Sequence, residues 1–173
     1  MSEAAVLRNQ LHHFHEYLEA TMDGVTDEHA HWVPPGGAHP IGAIYAHVIF
    51  NEDDAIQRIL QDRQPLADPA WAGRSGVTGA VPLGVTDWAN WARTARYDIG
   101  QLREFAKAVY AQTDNYLASS SESDLARQVD LSRDGYGIQP AMFVPHVLLA
   151  NVAIHTGEIA CLKGIQGLRG LPN

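Results

Sequence analysis

The chain has 173 residues, 46% of them hydrophobic, enough for one domain built around one sizeable core. Twenty acidic against twelve basic residues leave a net charge of −8, which opposes the phosphate neutralisation that nucleic-acid binding needs and excludes that class of partner. No stretch approaches the ~18 apolar residues of a membrane span, and Met1-Ser2-Glu3-Ala4 is not a basic region leading into an apolar run, so a cytoplasmic chain with no membrane partner is expected.

Leu7, Leu11, Phe14, Leu18 and Met22 recur at helical spacing and predict a first amphipathic helix from Glu3 to Met22. The following segment carries Pro34-Pro35-Gly36-Gly37, and Pro40 suits the first position of a second helix. Ile41, Ile44, Val48, Ala55 and Ile59 extend that helix until Gln64-Pro65 halts it. Residues 62–85 then read as a long Gly/Pro-rich connection containing Trp71. Thr86 is a candidate N-cap for a third helix, whose stripe runs unbroken through Trp88, Ala92, Ala95, Ile99, Leu102, Ala106, Val109, Thr113 and Tyr116. Ser119 to Ser123 ends it. After a loop with Asp134-Gly135-Tyr136-Gly137, a fourth stripe follows: Ala141, Pro145, Leu148, Val152, His155, Ile159 and Leu162, with Pro145 in the first turn or at a kink. Cys161 falls in this helix and cannot form an internal disulfide; a buried, inert thiol is expected. No alternating strand pattern stands out, so the fold class expected is all-α, a four-helix bundle with long connections forming one domain over residues 1–173.

Two polar residues sit on apolar stripes, Glu52 between Val48 and Ala55, and His155 between Val152 and Ile159. Both are predicted to point inward. A buried carboxylate needs a partner, so Glu52 calls for a histidine, an arginine or a cation, or a structural bond to histidine or tyrosine that staples the bundle. His47 lies about 100° round the helix from the stripe, at its edge. With Asn51 and Asp54 it forms a polar face whose plain reading is a solvated surface. His12, His13, His15 and Glu16 look at first like metal ligands, but only His15 borders the apolar stripe, which argues against a site there. Trp32, Trp71, Trp88 and Trp91 are read as packing caps.

Pro40-Ile41-Gly42-Ala43-Ile44-Tyr45-Ala46-His47, then Asn51-Glu52-Asp53-Asp54, and later His155-Thr156-Gly157-Glu158-Ile159 resemble the DinB-like superfamily, as does the lead-in Trp32-Val33-Pro34-Pro35-Gly36. The superfamily includes thiol-dependent transferases and isomerases using mycothiol or bacillithiol. The resemblance implies a divalent metal, zinc or nickel, held by one histidine of helix two and two of helix four. His47 matches the first and His155 the last. The remaining position is Asn151, a neutral oxygen donor weaker than imidazole for such metals, so the implied site is His47, Asn151 and His155 in altered form. Glu52 is a candidate acceptor supporting a ligand, or an extra ligand.

Two functions stand against each other. The first is a metal-dependent enzyme resembling the thiol transferases, with a small-molecule substrate and a low-molecular-weight thiol as cofactor. The second is a non-catalytic bundle, a dimer or a small-molecule binder, in which the same residues hydrogen-bond each other. A homodimer is expected in either case, with Trp91 outside the helix-three stripe as a contact.

Overall fold

The structure, a computed structural model, describes residues 2–68, 70–82 and 88–172. Seven helices among these residues are α1 (Glu3–Thr21), α2 (Asp27–His31), α3 (Ile41–Asp54), α4 (Trp88–Thr94), α5 (Ile99–Ser119), α6 (Glu122–Ala126) and α7 (Phe143–Ile165). The four long ones, α1, α3, α5 and α7, pack in a ring: α1 on α7, α7 on α3, α3 on α5, and α5 back on α1. This is the expected bundle. Thr86 lies outside the described residues.

The ends of these helices show why the chain stops and starts where it does. Ser2 caps α1 by accepting from the Ala5 amide at 3.3 Å. At the other end, buried Lys163 of α7 donates its Nζ to the carbonyls of Thr21 (2.5 Å) and Asp23 (2.7 Å), satisfying groups the helix leaves unpaired. One core cluster centres on Tyr45, Tyr97, Phe105 and Leu102; a second gathers Leu7, Leu11, Ile56, Leu117 and Leu148.

Four expectations need correcting. The third helix is not continuous: α4 ends at Thr94 and α5 restarts at Ile99. The apolar spacing carries through the break, but the backbone there is claimed by other partners. His31 Nε2 accepts from the Tyr97 amide (2.9 Å), the Gly76 carbonyl from the Asp98 amide (2.8 Å), and Asp27 from the Ile99 amide (3.0 Å). Asp98 then caps α5 through the Gln101 amide at 2.9 Å. Secondly, the segment after Asp23 is not all connection, because Thr26 and His29 form a capping box that starts α2. Thirdly, the loop before α7 contains an antiparallel hairpin, β1 (Gln128–Leu131) and β2 (Gly137–Pro140), with Gln128 opposite Pro140 and Leu131 opposite Gly137. The turn between them spans Ser132–Asp134, and Gly135 closes it at φ +85°. Finally, Cys161 is exposed, since it falls on the outer face of α7. The second helix also widens into a π-helical segment, Ala55–Leu60, at its end.

Candidate functional site

Pro40 starts α3 without a side-chain cap, and His47 follows two turns in. On α7, Asn151 and His155 stand one turn apart on the side facing α3. The packing of α3 on α7 therefore brings all three candidate ligands together. The Asn151 amide nitrogen lies 3.4 Å from His47 Nε2, and the His47 and His155 rings meet edge to face at 4.9 Å between centroids. His155 is half-buried, with 23% of its side chain exposed, so it faces inward as expected but remains reachable from solvent.

The surroundings set the state of each group. Burial pushes the His47 pKa down to about 4, aided by His155 and His39, so this imidazole is neutral at neutral pH and keeps a lone pair. Asn51, one turn along α3, sets its amide nitrogen 2.9 Å from His47 Nδ1 and 3.0 Å from Nε2. Trp88 covers the His47 ring edge to face at 5.1 Å, so this tryptophan borders the site as well as capping the bundle. His155 Nδ1 lies 2.8 Å from a carboxylate oxygen of Glu158. Since a carboxylate oxygen can only accept, the bond calls for a proton on Nδ1, and in the neutral ring that leaves the lone pair on Nε2, the arrangement of a carboxylate-supported ligand histidine. Glu158 belongs to the His155-Thr156-Gly157-Glu158 motif, and its i, i+3 spacing from His155 is the signal that identifies it.

Glu52 is inward as predicted but turned elsewhere. Its carboxylate is fully buried, accepting from Thr113 Oγ1 at 2.5 Å and lying 2.8 Å from His15 Nε2. Five residues separate it from His47, about 140° round α3, so it staples α1, α3 and α5 rather than supporting a ligand. The polar face of His47, Asn51 and Asp54 is not a solvated surface. Asp54 is buried and held by Arg58 through two bonds (2.7 and 2.5 Å), and by Arg133 at 3.1 Å. At the N-terminal cluster, His12 and Glu16 are exposed and 3.4 Å apart, and His15 belongs to the Glu52 staple.

His47, Asn51 and Asn151 form one end of a pocket of about 730 Å³. Ile59, Leu131, Val144, Val147 and Leu148 make its apolar walls, and the hairpin turn closes the far side with Arg133, Asp134 and Tyr136. Its volume falls within the usual range for small-molecule sites. Asn151 contributes a further clue: its Oδ1 is buried and has no hydrogen-bond partner. An acceptor in that state is completed by a donor or a cation. Among the described residues no three His, Cys, Asp or Glu side chains are arranged to hold a metal. The donor set here is accordingly two imidazoles and an amide oxygen, which fits a divalent cation held less tightly than by three histidines.

The family model described as the DinB superfamily matches residues 10–159. Among solved structures, the chain is similar to a conserved protein from Enterococcus faecalis, with a TM-score of 0.80 at 17% identity, covering 96% of this chain and 99% of that one. At that identity the likeness speaks for the fold. No curated protein matches the chain.

Proposed function

Because the chain belongs to the DinB superfamily, we propose that it is a divalent-cation-dependent enzyme that transfers a group between a low-molecular-weight thiol and a small organic molecule. The cation, zinc or nickel, would be held by His47 and His155 and more weakly by Asn151. The observation that carries this reading is the buried, unpartnered Asn151 Oδ1 beside the neutral His47, in the lining of a ligand-sized pocket. A cation there would supply Lewis acidity to a bound thiol near neutral pH. The chain's own residues do the rest. Glu158 fixes the tautomer of His155, burial keeps His47 unprotonated, and Trp88 covers one edge of the His47 ring.

One observation favours a second reading, a non-catalytic small-molecule binder. The amides of Asn51 and Asn151 both approach ring nitrogens of His47, and a lone pair engaged by an amide is not free for a metal. Substitution at Asn151 separates the two. In protein purified without a histidine tag, Asn151→His is expected to tighten zinc or nickel binding by about tenfold or more, roughly 1.4 kcal/mol, in chelator competition. Asn151→Ala should not gain. Unchanged metal affinity in Asn151→His, with a lower melting temperature, would favour the binder.

A further inference from the structure

We infer that the pocket beside His47 takes an organic molecule ending in a carboxylate, and that Arg133 is the residue that recognises that group. The inference rests on this pocket being the functional one, but not on its holding a metal. Arg133 stands on the hairpin turn, with about half its side chain exposed, across the apolar walls from His47 and Asn151. Its bonds are poor ones. Among the described residues, Nη2 reaches Asp54 Oδ2 at 3.1 Å and Nε reaches Asp134 Oδ1 at 3.4 Å, both longer than the ~2.7–2.9 Å of a good charge-assisted bond.

Asp54 does not need Arg133. Arg58 already engages both of its carboxylate oxygens at 2.7 and 2.5 Å, so the Arg133 fork can turn away without leaving a buried charge unpaired. An incoming carboxylate can accept two parallel N–H bonds from the guanidinium, displacing the two long contacts with Asp54 and Asp134. A cationic ligand would meet the Arg133 charge with Asp54 already neutralised by Arg58, and would have the half-exposed Asp134 carboxylate to set against it. A neutral one would gain from the apolar walls but nothing at this end. The site thus favours an apolar body with an anionic head, although the chain as a whole carries a net charge of −8.

Arg133 also ties the hairpin to α3, so the test must separate recognition from a purely structural latch. The probes are 4-phenylbutyrate, its primary amide and the corresponding amine, titrated calorimetrically into chelator-treated full-length protein so that no metal can hold the carboxylate. The acid is expected to bind about tenfold or more tighter than the amide. In Arg133→Gln that preference should vanish, and in Arg133→Lys, which keeps the charge but not the fork, it should shrink. Because the readout is a ratio of two ligands on one protein, a latch that merely reshapes the pocket would weaken both alike and leave the ratio intact. An intact ratio in both variants, a wild-type protein that binds acid and amide equally, binds the amine best or binds none of the three would overturn the proposal. If Arg133→Gln does not fold by circular dichroism, the ratio in Arg133→Lys decides. None of these outcomes depends on the metal titrations of Asn151→His, so either reading can fail alone.

Discussion

Glu52 has no solvent contact, and its two oxygens are spoken for by Thr113 and His15, whose ring lies 3.9 Å from the parallel face of Tyr110. Removing one member strands the rest. His15→Ala should therefore lower the unfolding free energy by about 3–5 kcal/mol, the range for breaking a buried pair, measured by urea denaturation. A loss below about 1 kcal/mol would mean that the staple is not a structural element. Glu52 was legible in the sequence because a charge on an apolar stripe has to be answered. Its partners were not, since Thr113 fits a stripe as a small residue and His15 only borders one. Likewise His47, Asn151 and His155 could be named from the motif, whereas the role of Asp54 depended on Arg58 and on Arg133, which is 79 residues away.

Among the elements, α3 is the most crowded. A Cβ at Gly42 would fall 2.5 Å from Cγ and 2.9 Å from Cβ of Tyr97, whose hydroxyl is anchored on the Ala92 carbonyl at 2.9 Å. The ring cannot slide away. Alanine gains up to ~1 kcal/mol over glycine inside a helix, but overpacking costs about 1–3 kcal/mol, so Gly42→Ala is expected to destabilise. Gly157, on α7 with nothing near its missing Cβ, provides the opposite case: Gly157→Ala should stabilise by up to ~1 kcal/mol. Thermal melts of both check the pair, and equal signs would defeat the argument. The four long helices were legible because each presents a repeating apolar face. The break after Thr94 was hidden, since neither glycine nor proline marks it and the cause lies in Asp27, His31 and Gly76. The hairpin was hidden because Gln128-Val129-Asp130-Leu131 alternates for only four residues, too few to stand out.

Across the whole molecule, three of the six tyrosines sit in the bundle from different elements, Tyr45 and Tyr97 buried and Tyr110 partly buried against the core. Burial raises the pKa of Tyr45 on α3, Tyr110 on α5 and Tyr97 between α4 and α5, with Glu19 adding to the effect at Tyr45 and Tyr110. Each holds its proton in the folded chain above pH ~10, where the unfolded chain gives it up. Their contribution is thus intact below pH 10, and stability falls as pH rises beyond it. Absorbance titration at 295 nm should show these three ionising only together with unfolding. Their smooth ionisation in a chain still helical by circular dichroism would contradict this. No helix among the described residues is long and apolar enough to cross a membrane.

The hairpin that forms one side of the pocket is held mostly by its own ladder and by short local bonds, such as the Ala141 amide to the Arg127 carbonyl at 2.8 Å. Among the described residues, its side-chain hydrogen bonds to α3 and its π-helical end come from Arg127, on the Leu60 carbonyl, and Arg133, on Asp54, while Val129 and Leu131 pack into the cluster that holds Ile56 and Leu60. The proposed cation site, by contrast, is built into α3 and α7. On the proposed function, ligand preference and chemistry are thereby written on separable stretches of chain. Insertions or exchanges between Leu131 and Gly137 would then redraw what the pocket admits while the helices that carry the proposed cation site are inherited unchanged.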